Sequence, residues 1–163
     1  MIRIKQNQKE QLESLYLQKI TLEEVNLGEL ANENLIAIAR GEQDSELLEY
    51  ALVYYYHAGF HQVHCSDLEA LLVESWHNQH EEVARVLQLK VHCECSVESL
   101  SQAIANKYEY LFEQDDYYPF VRKCFFAMGS LKTEHARKEL VKYISDPDPT
   151  IQDLAQEQLA RLL

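Results

Sequence analysis

Residues Ser45–Gly59 read SELLEYALVYYYHAG, and the spacing of their apolar side chains predicts a helix. These side chains lie at positions i, i+1, i+4, i+5 and i+8, which places them along one side of a helix. Either Asp44 or Ser45 can cap the first turn. The predicted inward-facing residues are Leu47, Leu48, Ala51, Leu52 and Tyr55.

The composition of the whole chain also favours helices over strands. Only four glycines and three prolines occur in 163 residues, of which 47% are apolar. Helix formers such as Leu, Glu, Gln and Ala dominate, whereas β-structure needs β-branched runs and frequent turn residues. We therefore predict an all-α fold of about eight helices, a bundle or α-solenoid, in which residues 1–163 form a single domain with its own core.

The negative charge of the chain is concentrated in one region of the sequence. Thr21–Ala84 contains thirteen acidic residues and one base, Arg40, while the remaining residues hold fourteen of each, so this region accounts for the net charge of −12. Nucleic acid and anionic membranes require clustered cations, so both are disfavoured as ligands. Residues 21–84 are instead predicted to bind a basic protein, since opposite charges speed and steer association.

The outer side of the Ser45–Gly59 helix combines carboxylates with tyrosine rings. Such a surface suits Lys or Arg, which it can hold by ion pairing and cation–π contact. The alternative is that the tyrosines pack beneath a neighbouring helix. The acidic and aromatic turn Glu113–Pro119 resembles this helix in composition. The predicted partner-binding residues are Glu46, Glu49, Tyr50, Val53, Glu69, Glu74, Asp115, Asp116 and Tyr117.

Two further stretches carry helix signals. Thr21 and Glu24 have the spacing of a capping box, which predicts a helical region running towards Arg40 with an interruption near Gly28. Gly41 is a suitable residue to end it. Val97–Phe112 has the most regular apolar stripe of the chain and is predicted to form one helix.

The C-terminal part, residues 119–163, contains a pattern that recurs. Pro119 and Pro149 lie 30 residues apart, and Val121 and Ile151 follow them at the same distance. In each case an apolar helical stripe continues, which is typical of stacked helical pairs that open with a proline. This part, above all DPDPTIQDLAQEQLARL, resembles HEAT-type repeats, in which paired helices build a curved α-solenoid.

A small, acidic, helical chain with HEAT-like character is also similar to the immunity proteins of bacterial contact-dependent growth inhibition and related polymorphic-toxin systems. That resemblance implies a protein that protects its own cell by occluding a toxin domain, often a basic nuclease. The family has no shared signature, so the resemblance assigns no role to any residue. A HEAT-like scaffold or adaptor in a larger assembly is the alternative.

Histidines and cysteines cluster enough to raise the question of metal binding. There are three groups along the chain: His57, His61, His64 and Cys65, then His77 and His80, and then His92-Cys93-Glu94-Cys95. Their spacing differs from that of structural zinc sites, so they are predicted to be partly exposed histidines and core thiols rather than ligands. No catalytic motif occurs, and we expect no enzyme activity, no catalytic residue and no cofactor. A metal-binding enzyme or sensor that uses these residues is a second alternative.

The sequence also bears on the location of the protein. Its first residues, MIRIKQNQKEQLES, lack the apolar segment of a signal peptide, and no stretch approaches the roughly 20 apolar residues that cross a bilayer. A cytoplasmic protein is the expectation.

Overall fold

The computed structural model describes residues 4–162, which form ten α-helices and no strand. With 72% of the chain helical, the all-α prediction is confirmed. Leu163, the last residue of the predicted final helix, lies outside the described residues. The helices are α1 (Gln6–Tyr16), α2 (Leu35–Glu42), α3 (Ser45–Ala58), α4 (Cys65–Leu71), α5 (His80–Leu89), α6 (Ser96–Asn106), α7 (Glu109–Glu113), α8 (Tyr117–Ser130), α9 (Glu134–Lys142) and α10 (Pro149–Ala160).

Packing divides the chain into two compact units, Met1–Asp67 and Leu68–Leu163. The first contains α1 to α3 and the second contains α5 to α10. Whether both belong to one domain stays a prediction. Among residues 4–162, no helix has both the length and the apolar character needed to traverse a bilayer.

Helix α3 is the centre of the first unit and packs against both α1 and α2. Its cap is Asp44, whose carboxylate accepts a hydrogen bond from the Leu47 N–H at 2.9 Å, as predicted. The Tyr55 hydroxyl ties α3 to the start of α2, because it accepts from the Leu35 N–H at 3.1 Å and donates to the Glu33 carbonyl at 3.0 Å. The five predicted inward residues are all buried: Leu47, Leu48, Ala51, Leu52 and Tyr55.

The segment before α3 differs from its prediction. Thr21 and Glu24 do form a capping box, but it opens a 3₁₀ turn at Leu22–Glu24 instead of an α-helix. A second 3₁₀ segment spans Gly28–Asn32, and α2 begins only at Leu35. The expected interruption near Gly28 is therefore present, but the predicted helical start at Thr21 gives only a 3₁₀ turn.

The predicted stop at Gly41 is also wrong. Gly41 lies inside α2, and the chain turns at Gln43, which adopts a left-handed φ of 51°. The next residue is Asp44, which must cap α3, so the reversal has to occur at Gln43 even without a glycine.

Helix α8 is the centre of the second unit and packs against α5, α6 and α10. Its buried stripe includes Cys124, Phe125 and Met128, as the apolar pattern predicted. At Gly129 the backbone of α8 approaches α10 so closely that a methyl group there would overlap the side-chain amide of Gln158. A larger residue at this helix contact would fit only if the Gln158 side chain moved.

The predicted helix Val97–Phe112 is interrupted, which corrects the most regular stripe of the sequence. The chain reverses at Lys107, where φ is 49°, and this separates α6 from α7. Tyr108 leaves the helix because its hydroxyl donates to the Leu72 carbonyl at 2.6 Å and its ring stacks on His80 with centroids 3.6 Å apart. Tertiary contacts thus override the local helical preference.

The C-terminal part contains three consecutive helices, α8, α9 and α10, that contact one another. Pro149 is the first residue of α10, as predicted, and the carboxylate of Asp148 caps this helix. Pro119 does not open α8, which begins two residues earlier at Tyr117. The resemblance to HEAT repeats stays a prediction.

Candidate functional site

Carboxylates and tyrosine rings meet where α3 packs on α1. The Tyr16 hydroxyl of α1 donates to Glu49 at 2.7 Å, and the Tyr50 hydroxyl donates to Glu46 at 3.1 Å. The two tyrosine rings lie against each other, with centroids 5.3 Å apart. Three of the predicted binding residues, Glu46, Glu49 and Tyr50, are therefore neighbours, and α1 supplies a tyrosine that the sequence did not assign to them.

Lys9 of α1 brings a cation to the same place. Its ammonium group lies 2.8 Å from a carboxylate oxygen of Asp44 and 2.8 Å from one of Glu46. The hydrogen bond from Lys9, followed by that from Tyr50, lowers the pKa of Glu46. Both carboxylates therefore stay ionised at neutral pH.

These side chains form what we call the α1–α3 acidic face, consisting of Glu13, Asp44, Glu46 and Glu49 together with Lys9 and Tyr16. Four acids stand against one base, and Glu13 and Glu46 are exposed. The charge of Glu13 also contributes to raising the pKa of the nearby Tyr50. The face thus keeps a surplus of negative charge after Lys9 is counted.

Two predicted binding tyrosines are buried, so the expectation that they face solvent is wrong. Tyr50 is 6% exposed and Tyr117 is 4% exposed. The Tyr117 hydroxyl donates to the Ile104 carbonyl at 3.2 Å. Burial raises the pKa of both phenols to about 12, with the hydrogen bond to Glu46 adding to the shift at Tyr50. The Tyr50 ring packs beneath α1, which is the alternative that the sequence left open for the tyrosines of α3.

The remaining predicted residues vary in exposure. Val53 of the first unit is half-buried, and so are Glu69, Glu74 and Asp116 of the second. Burial, together with the charge of Glu98, raises the pKa of Glu69. The Glu74 carboxylate accepts a hydrogen bond from the Trp76 indole at 2.8 Å. Asp115, the fifth of these predicted residues, is exposed, and the other four are not.

The acidity is shared evenly between the two units. The first has eleven acids and five bases, and the second has sixteen acids and ten bases, so each carries a net charge of −6. Within the first unit the acidic face contains four of the eleven acids and one base, which pairs with two of them. The predicted region Thr21–Ala84 contributes Asp44, Glu46 and Glu49 to it, and α1 contributes the rest.

Two histidines of the second unit are buried, contrary to the expectation of partly exposed rings. His77 and His80 are 2% and 0% exposed and stack with centroids 4.4 Å apart. Both nitrogens of each ring form hydrogen bonds. His77 Nε2 lies 3.0 Å from the Leu71 carbonyl oxygen, and His80 Nε2 lies 2.7 Å from the Glu74 carbonyl oxygen. Because a carbonyl only accepts, each Nε2 carries the proton and donates it.

The other nitrogen of each ring is an acceptor. His77 Nδ1 accepts from the Gln79 N–H at 3.0 Å, and His80 Nδ1 lies 2.9 Å from the Tyr110 hydroxyl. That hydroxyl in turn accepts from the His80 N–H at 3.3 Å, so its own proton points to the ring. Burial lowers the pKa of both histidines, and that of His80 to about 4. Both rings are neutral and serve to satisfy buried main-chain groups.

The structure places no metal-binding cluster among these residues. Within residues 4–162, no group of three or more His, Cys, Asp or Glu side chains is arranged to hold a metal ion. His64 of the first unit is likewise buried, and its Nδ1 accepts from the His61 N–H at 3.0 Å. The lone pairs of His64, His77 and His80 are thus engaged within the fold.

Sequence reasoning missed the contribution of α1 to the acidic face. Its residues Lys9, Glu13 and Tyr16 lie three or four positions apart, which places them along one side of the helix, but only the fold reveals that α3 is their neighbour. No family model, curated protein or solved structure matches the chain. Its function is therefore inferred from its own charges and packing.

Proposed function

We propose that this chain binds a basic protein through the α1–α3 acidic face and acts as an immunity protein that covers the substrate-binding surface of a nuclease toxin domain. The observation that carries this proposal is that four acids share this face with a single base: Asp44 and Glu46 pair with Lys9, Glu49 bonds to Tyr16, and Glu13 acts on Tyr50. A nuclease needs cations to hold its polyanionic substrate, and such cations are natural partners for these carboxylates.

The hydrogen bonds within the face favour binding because they fix its carboxylates before a partner arrives. Tyr16 holds one oxygen of Glu49, and Tyr50 and Lys9 hold the two oxygens of Glu46. Less side-chain entropy is then lost on association. Each ionised carboxylate has about four acceptor positions, so these contacts leave room for further donors from Lys or Arg.

The experiment compares partners captured from the native cell by the wild-type chain and by the double variant Glu46→Gln/Glu49→Gln. Glutamine keeps the side-chain length and an acceptor oxygen but removes the charge. We expect the wild type to capture a basic protein that degrades nucleic acid, and added wild-type chain to inhibit this activity in proportion to binding.

The matched control is Glu94→Gln/Asp153→Asn, which removes two exposed carboxylates of the second unit. It should capture and inhibit like the wild type, whereas the Glu46/Glu49 variant should bind about 3- to 30-fold more weakly, from roughly 0.3–1 kcal/mol for each exposed charge pair. Equal binding by all three proteins, or a captured partner that is not basic, contradicts the proposal.

A HEAT-like scaffold is the second candidate, and exposed apolar side chains of the second unit favour it. Leu89, Val141 and Ile144 are 60%, 44% and 39% exposed. Apolar side chains on helix surfaces are what a further stacked helix would bury. Such an assembly would tolerate high salt, whereas binding through the acidic face should weaken as the ionic strength rises.

A further inference from the structure

A small cavity of the second unit has the opposite charge to the chain as a whole. Its volume is about 340 Å³, and it lies between the turn before α9, the first turn of that helix and the end of α10. The lining residues are Lys132, Thr133, Glu134, Arg137, Arg161 and Leu162. Three cations and one acid thus meet in a protein whose net charge is −12.

Two of the three cations are not neutralised by ion pairs. Lys132 and Arg137 are exposed, and neither forms an ion pair with a carboxylate of residues 4–162 within 4.0 Å. Glu134 also lines the cavity but pairs with neither of them at that distance. Among the described residues, the cavity therefore carries more positive than negative charge, which an anion would neutralise.

The third cation is held in position by its neighbours. Arg161 forms an ion pair with Glu157 at 2.6 Å, and its guanidinium lies over the Phe126 ring, 4.8 Å from the centroid. These contacts use part of the guanidinium, which has five N–H donors in total. Arg161 therefore adds to the cavity lining a positive charge whose position is fixed before a ligand binds.

A hydroxyl group adds a neutral donor to the cavity. Thr133 Oγ1 accepts a hydrogen bond from the Ala136 N–H at 3.1 Å. Because that bond uses a lone pair, the hydroxyl proton is available for a ligand. Lys132 is fixed beside it in a left-handed conformation, with φ at 53° and its N–H donating to the Gly129 carbonyl at 3.2 Å.

We propose that this cavity binds a small phosphate, either inorganic phosphate or the phosphoryl group of a monoester. Guanidinium groups match the geometry of phosphate oxygens, and Lys132 supplies a point charge. A volume of 340 Å³ is at the small end of ligand sites, which fits one phosphoryl group with a small body attached. The net charge of −12 repels a nucleic-acid polyanion, so the ligand is a small molecule.

The experiment titrates the full chain with inorganic phosphate and with glycerol phosphate at constant ionic strength, and follows the amide signals by NMR. Saturable shifts are expected at Thr133 and Arg137. Lys132→Gln and Arg137→Gln should each weaken binding by about tenfold or more, as expected for a charge-assisted hydrogen bond. Tighter binding of the ester than of inorganic phosphate identifies a monoester as the ligand, and the reverse identifies the free ion.

Two control variants match the two test variants. Lys138→Gln removes an exposed cation from the same helix outside the cavity, and Lys107→Gln removes an exposed lysine whose φ of 49° resembles that of Lys132. Both should bind phosphate like the wild type. The proposal is overturned if phosphate gives no saturable shifts, or if all four variants weaken binding equally, because binding would then follow net charge alone.

Discussion

Acidification is expected to destabilise the second unit through His80. Its pKa is held at about 4, first by burial and then by the charge of His77, against a usual value of 6.5. The folded state therefore takes up this proton later than the unfolded state as the pH falls. Stability should be unaffected above pH 6.5 and should decrease between 6.5 and 4.

The magnitude follows from the two pKa values of His80. At about 1.4 kcal/mol per pKa unit, the difference between 6.5 and 4 corresponds to a loss of about 3 kcal/mol in the free energy of unfolding. For a chain of this size that equals a fall of roughly 6–12 °C in the midpoint of thermal unfolding. His77 acts in the same direction, since burial lowers its pKa too.

The assay is urea unfolding at a series of pH values for the wild type and for His80→Gln, which cannot take up a proton in this range. The difference in unfolding free energy between them should narrow by about 3 kcal/mol as the pH falls from 6.5 to 4. The control is His57→Gln, which replaces an exposed histidine. Its free energy of unfolding should change with pH in the same way as that of the wild type.

NMR titration of the wild type tests the same point without a mutation. The ring of His80 should stay neutral, with its proton on Nε2, until the pH approaches 4. Protonation of His80 near 6.5 in the folded protein, or parallel unfolding curves for the wild type and His80→Gln, would refute the reasoning.

Other predictions concern helix packing and the acidic face. Gly129→Ala should destabilise the protein by about 1–3 kcal/mol, because its methyl group overlaps Gln158, and Gly129→Ala/Gln158→Ala should recover part of the loss. Gly41 lies in a helix and has open space around it, so Gly41→Ala should instead stabilise the protein by about 0.4–1 kcal/mol. Thermal unfolding measures the stability of all three variants. The hydrogen bond to Glu49 raises the pKa of Tyr16, so Glu49→Gln should lower that pKa in an ultraviolet titration; an unchanged value would show that the bond does not persist in solution.

The sequence predicts those elements whose pattern is local. Helix α3 follows from its apolar spacing and from Asp44, and its five inward residues are buried as expected. The start of α10 follows in the same way from Pro149. Both helix starts depend on contacts between residues a few positions apart, and such contacts can be predicted from the sequence.

Elements that depend on distant contacts could not be predicted in this way. The break at Lys107 exists because Tyr108 bonds to Leu72 and stacks on His80, residues more than twenty positions away. Tyr50 was expected at the surface because nothing in its own helix shows that α1 covers it. The carboxylate neighbours Glu46 and Glu49 were predictable from helical spacing, whereas their donors Lys9 and Tyr16 were not.

The measurement that tests the α1–α3 acidic face most directly is the rate of association with the captured basic partner over a range of salt concentrations. The wild type should associate more slowly as the salt concentration rises. Glu46→Gln/Glu49→Gln should associate more slowly than the wild type at low salt, and its rate should depend less on salt. A thermal unfolding curve checks that this variant is folded. Glu94→Gln/Asp153→Asn should leave both unchanged. If the two double variants, which lose equal charge, have the same rates and the same salt dependence, partner binding does not depend on the α1–α3 acidic face.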